Sequence, residues 1–247
     1  DLHSFPTRRS SDLHIVISDA SEDGTDEVVR QFADRGVELV RQPQRRGKSA
    51  GENMAAPHLR GDIVINTDAS VRIRPDAVKE LVRWFQDPTV GVASGRDVSV
   101  SRTATDDNRG EAGYVGYEMW VRQLETRLGT IVGASGCLYA IRRELVAHAF
   151  PEALSRDFAS CLIAREHGFR AVSVDEAICY VPRARSLAGE YRRKVRTMVR
   201  GLQTLWFKRA LLNPLRYGRF ALFLNSHKLV RWLVRSEEHT SKLQSPI

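Results

Sequence analysis

Cysteine is scarce: three residues among 247 (Cys137, Cys161 and Cys179), an odd number without metal-ligand spacing. That excludes a disulfide framework and a cysteine-based zinc module, and fits a reducing, cytoplasm-facing location. No stretch approaches the roughly 18 uninterrupted apolar residues of a membrane span. The first residues are polar and lack the apolar run of a secretory signal. The 9 prolines and 17 glycines follow no period, which excludes a collagen-like repeat. With 42% hydrophobic and 28% charged residues, the chain can bury a sizeable core, so general disorder is excluded. Its length suits one large domain or two small ones.

What is present is unevenly placed. The net charge of +8 divides sharply: residues 183–235 carry 14 Lys and Arg against Glu190 alone, whereas residues 14–182 carry 21 basic and 25 acidic side chains. A mildly acidic body is thus followed by a strongly basic segment, which suggests contact with an anionic surface. Residues 1–13 (DLHSFPTRRSSDL) and 236–247 have neither helical nor strand periodicity. Both resemble translated sequencing-adapter read-through and are set aside from fold reasoning. The expectation is a fragment of a longer natural chain.

The body reads as alternating strands and helices. Apolar runs at 14–19 (HIVISD), 37–40, 62–66 (DIVIN) and 90–93 predict buried strands. Between them, a helix capped by Thr25 should bury Val28, Val29 and Phe32, and a helix after Pro75 should bury Val78, Leu81, Val82 and Phe85. A short helix is expected at 49–56, a polar loop at 99–112, a helix at 113–128, a strand at 137–141 and a helix from Asp157 to Gly168. Two closing strands (169–174 and 177–181) precede two basic helices broken near Asn213-Pro214. Such alternation indicates an α/β fold with a mostly parallel sheet and flanking helices.

Asp19 and Asp68 each end an apolar strand. Ligands of open α/β sheets bind beyond such ends, and Mg²⁺ takes one or two carboxylates plus phosphate oxygens. Either acid alone reads as a turn cap, while the pair at matching strand ends reads as a nucleotide and metal site on one rim. Gly47-Lys48-Ser49 is no P-loop, because Gln42 stands where that motif needs glycine. By itself Lys48 reads as a solvated lysine, or as a phosphate contact at a helix start. Asp157 at a helix start is either a general base or a helix-dipole acid, and spacing does not separate the two. Arg193 and Arg196 share a helix face and suit a diphosphate clamp or lipid headgroups. Farther on, Trp206, Phe207, Tyr217, Phe220, Phe223 and Trp232 alternate with basic residues. That composition describes an interfacial helix or a nucleic-acid groove.

Together these segments resemble the family 2 glycosyltransferases, inverting enzymes of the GT-A (Rossmann-like) fold, and particularly membrane-associated members that lengthen polysaccharides. VISDASEDGT (16–25) is similar to that family's VVSDGSTDGT, GKSAGEN (47–53) to its GKAxAxN, and NTDAS (66–70) to its Asp-x-Asp segment. SRDF (155–158) stands where the family has Asp-Asp or Glu-Asp, and RRKVRT (192–197) where it has Gln-x-x-Arg-Trp. The resemblance implies that Asp19, Lys48 and Asp68 bind the donor nucleotide, that Asp68 holds a divalent metal (Mg²⁺ or Mn²⁺), and that Asp157 is the catalytic base. It implies that Arg193 and Arg196 face the diphosphate and acceptor region. Ser70, Arg156 and Thr197 depart from the pattern. Relatives begin with a strand of the type VSVIIPAYNE and continue into transmembrane helices, so both are expected outside this stretch.

The implied activity is transfer of a sugar, with inversion, from a nucleotide-sugar donor (a UDP-sugar foremost) to a hydroxyl of a glycan or lipid-linked acceptor. The implied location is the cytoplasmic face of the cell membrane. Residues 14–182 would form the catalytic domain and residues 183–235 basic amphipathic helices on the membrane surface, with no nucleic-acid partner. The rivals are a non-enzymatic nucleotide-binding domain tethered by its basic tail, and a nucleotidyltransferase.

Overall fold

The computed structural model describes residues 13–100, 109–146, 150–182, 187–230 and Trp232. The adapter-like tails therefore lie outside the described residues, apart from Leu13, as does 101–108, the middle of the expected polar loop. The flanks of that loop differ from the expectation. Ser99 and Val100 end a strand, and a helix begins at Arg109.

Strands β1 (His14–Ser18) and β2 (Val37–Arg41) pair in parallel as a two-stranded sheet of their own, with α1 (Thr25–Arg30) between them in sequence. After α2 (Lys48–Ala55), strands β3 (Ile63–Thr67), β4 (Arg72–Ile73), β5 (Val90–Val100), β6 (Leu138–Arg142) and β7 (Arg170–Pro182) build a second sheet in the order β3-β6-β5-β7-β4. Helices α3 (Ala77–Arg83), α4 (Arg109–Leu128) and α5 (Arg156–Glu166) are interspersed. The chain then continues through α6 (Leu187–Phe207), α7 (Pro214–Tyr217), α8 (Arg219–Phe223) and a π-helical turn, Leu224–Val230.

The larger sheet is mixed. β5 and β7 run parallel, whereas β6 enters between β3 and β5 from the opposite end and is antiparallel to both. The two expected closing strands form one strand, β7, with an irregularity. Ser94 pairs with Ser173 and Arg96 with Ile178, so β7 spends five residues where β5 spends two. An irregularity of this kind bends a strand without ending its pairing.

Alternation along the strands decides which helix covers which face. Ala93, Leu138, Ala140 and Val172 point to a core shared with Ala77, Leu81 and Phe85 around α3. Their neighbours Val92, Tyr139, Ile141 and Ala171 point the other way, onto Cys161 and Ala164 of α5. Leu81 and Phe85 face inward as expected, joined by Ala77, whereas Val78 and Val82 are exposed. They form the adjacent i, i+4 row, turned away by about 100°. Likewise Val28 and Phe32 stay exposed, because α1 packs mainly against the small two-stranded sheet. Helix α1 is preceded by Gly24 with φ 79°, and the Asp23 carboxylate accepts from the Thr25 backbone and hydroxyl, so Thr25 is not its cap.

The basic C-terminal helices do more than follow the sheet. Leu205, Leu211, Phe220 and Leu224 are buried with Val132, Phe158 and Leu162 in one cluster, and the Thr204 hydroxyl accepts from the Ser155 backbone N–H at 2.9 Å. Packing crosses the sequence boundary at 182/183. Leu211→Ala should therefore destabilise the whole domain in a single urea transition, by about 2–5 kcal/mol. A mutant that left the sheet transition unchanged would show the helices to be a separable unit.

Candidate active site

Asp19 lies one residue beyond β1 and organises the loop before α2. Its carboxylate accepts from Gln42 Nε2 (2.8 Å), Arg46 N (2.8 Å) and Gly47 N (3.0 and 3.1 Å). The loop can turn there because Gly47 adopts φ 89°, open to glycine without strain. Ala20, directly after Asp19, is held at φ 54°. A non-glycine residue is strained in that region, and such strain gathers at functional sites.

The next residue closes a link between the two sheets. Lys48 Nζ donates to Asp68 Oδ1 at 2.6 Å and to the Gly136 carbonyl at 3.1 Å. Asp19 and Asp68 thus do not share the rim of one sheet, as the sequence suggested, because β1 and β3 belong to different sheets. The Gly47-Lys48 step brings their surroundings together instead. Burial acts most strongly on Lys48 and disfavours its charge, but the hydrogen bond and charge of Asp68, with Glu52 and Asp157, hold its pKa above the ordinary lysine value. Lys48 is a fixed cation.

Asp157 starts the first turn of α5. Ser155 Oγ donates to its Oδ1 at 2.5 Å, and a Cβ on Gly136 would lie 2.8 Å from its Oδ2, so Gly136 lets the turn before β6 approach the carboxylate. Beside it, Arg156 turns away into the protein. Its guanidinium donates to Asn53 Oδ1, stands 5.2 Å over the Phe150 ring, and places Nε 2.9 Å from Glu52 Oε2, in charge contact but not aligned as a hydrogen bond. Burial foremost, and secondarily Asp157 and Asp68, raise the Glu52 carboxyl above its ordinary pKa despite the opposing pull of Lys48 and Arg156.

Two cavities meet at Asp157. The first, of about 180 Å³, is lined among others by Lys48, Glu52, Asp68, Tyr139 and Arg200. The second, of about 190 Å³, is lined by Asp97, Arg122, Thr197, Lys228 and Trp232 among others. Gly136, Ser155 and Asp157 line both. Of the residues singled out by sequence, Lys48, Asp68 and Asp157 converge on the first cavity, with Asp19 behind them holding the loop. Arg193 and Arg196 do not converge. Both are exposed on α6 and line neither cavity; the α6 residues that do are Thr197, Arg200 and Gly201. Sequence reasoning missed Glu52 and Arg200. Their signals were spacing alone: Glu52 is four residues after Lys48, and Arg200 four after Arg196.

Among the described residues no group of three or more His, Cys, Asp or Glu side chains is arranged to hold a metal. Asp68 nevertheless offers a half-exposed carboxylate at the cavity. One carboxylate suits an ion that brings phosphate oxygens as its remaining ligands, so the residues fit a divalent cation delivered with a diphosphate.

Comparison with known proteins bears on the family and the fold. The family model described as glycosyl transferase family 2 matches residues 12–150. An N-acetylglucosaminyltransferase of Rhizobium sp. (strain N33) is 23% identical over 186 residues, covering 67% of this chain and 40% of that protein. Hyaluronan synthase of Streptococcus pyogenes is 26% identical over 148 residues, 55% of this chain and 34% of that protein. The chain thus spans about two fifths or less of these relatives. Among solved structures, the mannosyltransferase PcManGT from Pyrobaculum calidifontis, in complex with GDP-Man and Mn²⁺, superposes with a TM-score of 0.66 at 23% identity, covering 94% of this chain and 66% of that one. S. aureus TarS in complex with UDP-GlcNAc gives 0.51 at 15% identity, covering 70% and 50%. These likenesses establish the GT-A fold. With the family model spanning more than half of its length, the chain belongs to glycosyl transferase family 2.

Proposed function

We propose that this chain carries the donor site and the base of an inverting transferase that moves a sugar from a nucleotide-sugar to an acceptor hydroxyl in glycan synthesis. The observation that carries this reading is the position of Asp157, on the wall common to two cavities, one of which holds the fixed Lys48–Asp68 pair. A donor in the first cavity and an acceptor in the second would meet at that carboxylate. Asp157 takes the proton of the acceptor hydroxyl as its oxygen attacks the anomeric carbon, and the bond to the diphosphate breaks on the opposite side. Negative charge grows on the departing diphosphate, where Lys48 and Arg200 line the cavity as cations. Asp19 holds Lys48 in place through the loop and stands beside the nucleotide. Asp68 would hold the divalent ion, which supplies further charge neutralisation at the diphosphate. That the solved relatives include complexes of GDP-Man with Mn²⁺ and of UDP-GlcNAc supports a nucleotide-sugar donor.

Arg193 and Arg196 take a different part. Tyr191, Val195, Val199, Leu202 and Trp206 are exposed along one stripe of α6, with Arg192, Lys194 and Arg196 to its sides. None of the described helices is long and apolar enough to cross a membrane. An amphipathic basic helix of this kind instead lies along an anionic bilayer, its rings at headgroup depth and its cations on lipid phosphates.

Calorimetry should find UDP bound more tightly with Mn²⁺ than in chelator, and Asp68→Asn should lower the Mn²⁺-supported affinity by roughly tenfold or more, the worth of one charge-assisted contact. Equal affinity with and without the metal would remove Asp68 from that role. Asp157→Asn should reduce transfer by about 10²–10⁴-fold while leaving UDP affinity unchanged. Wild-type turnover in that variant would move the base elsewhere. Sedimentation with phosphatidylserine vesicles should be weakened by salt and lost in Trp206→Glu, and binding that ignored both would overturn the membrane assignment.

A further inference from the structure

The acids around the first cavity are not treated alike. Asp68 is held by Lys48 at 2.6 Å, and Glu52 stands 2.9 Å from Arg156. Asp157, on the same wall, has the Ser155 hydroxyl on its Oδ1 at 2.5 Å, and no ion pair among the described residues includes it. A general base needs that freedom. A guanidinium on its carboxylate would occupy the lone pairs that must take the proton and would favour the ionised form.

The cation best placed to remove that freedom is Arg156. It directly precedes Asp157 and lines the same cavity, and a guanidinium is always charged. Consecutive helix positions diverge by about 100°, an arc that a flexible arginine side chain can sweep. What holds it elsewhere is a seat with three sides: the Phe150 ring at 5.2 Å, Asn53 Oδ1, and Glu52. Asn53 is itself fixed by both backbone groups of Phe150. The seat is incomplete as a hydrogen-bond network. Arg156 Nε and Glu52 Oε2 are both buried without a hydrogen-bond partner, so charge keeps them together, not alignment. Glu52 is the one charged member of the seat.

We propose that Glu52 is a positioning residue for the reaction: it keeps the Arg156 guanidinium seated on α2 and so keeps it off the Asp157 carboxylate. This rests on the assignment of Asp157 as the base. Glu52 touches no reacting atom in this role and acts wholly through Arg156. The two residues form one unit, and a chain without the guanidinium has no need of the acid.

The test combines turnover with arginine NMR on this chain. Turnover is read as release of nucleoside diphosphate from UDP-N-acetylglucosamine and from GDP-mannose, with Mn²⁺ present and water as acceptor. Affinity for UDP and GDP is read by calorimetry. Glu52→Gln should lower turnover about tenfold or more and leave nucleotide affinity within about twofold. Adding Arg156→Met to that variant should recover most of the lost rate. A merely structural pair would lower the melting temperature without changing the turnover of the folded protein. In the ¹⁵N-labelled chain, Asp157→Asn should shift the Arg156 Nε–Hε signal several times more in the Glu52→Gln background than with Glu52 present. Where Glu52→Gln does not fold, the background with Glu52 decides. An Arg156 signal that follows Asp157→Asn as strongly as the Ser155 amide does would overturn the proposal, and an indifferent one supports it. Wild-type turnover in Glu52→Gln, a folded double variant no faster than Glu52→Gln, or equal shifts in the two backgrounds would each overturn it as well. If the wild-type chain releases no diphosphate, the NMR comparison decides alone. Failure of the wild-type chain to bind either nucleotide would strike instead at the donor reading itself.

Discussion

The Lys48–Asp68 pair is the contact on which the site depends. It joins a helix that follows the small β1–β2 sheet to the end of β3 in the larger one, and no strand pairing among the described residues does so. Asp19 makes the junction possible by collecting the Arg46 and Gly47 N–H groups at the entry to α2. A half-exposed ion pair contributes little to stability, so the interest of this one is positional. It holds a protonated amine at the cavity where a diphosphate would sit, and its partner carboxylate is the one suited to a cation.

A second layer of contacts ties the same helix to the start of α5. Asn53 donates to the Phe150 carbonyl at 2.6 Å and accepts from the Phe150 N–H at 3.1 Å, and Arg156 reaches back to Asn53 and Glu52. Position 156, where the family resemblance leads one to expect an acid, holds a cation whose charge is met by Glu52 on α2. The polarity of the contact is inverted and the neighbourhood stays balanced. A buried cation without Glu52 would cost several kcal/mol, which explains how Arg156 is tolerated next to Asp157.

The C-terminal helices form the third side. A polar cluster holds them against α4: His227 Nδ1 lies 2.7 Å from Glu125 Oε1 and His227 Nε2 3.2 Å from Glu118 Oε1, with Lys228 over the Phe158 ring at 6.0 Å. The same turn carries Lys228 to the cavity beside Asp157. Basic composition therefore has two separate uses here, an exposed face on α6 and a buried group of paired charges.

The apolar runs ending at Asp19 and Asp68, the GKSAGEN segment and the acid opening α5 are enough for the α/β class and for three residues of the first cavity. Strand ends and helix starts are local features, set by periodicity and turn chemistry, so the sequence carries them directly. What local pattern does not contain is which strands pair and which helix face turns inward. For that reason local pattern puts the two acids on one rim and divides β7 into two strands, and the family resemblance turns Arg193 and Arg196 toward a cavity that Arg200 lines instead. Glu52 and Asp97 gain their surroundings, and Trp232 its place on Gly201, only when segments far apart in sequence pack together. Periodicity determined the elements and the residues able to do chemistry; long-range packing, through burial and mutual charge compensation, decided which of them share a cavity.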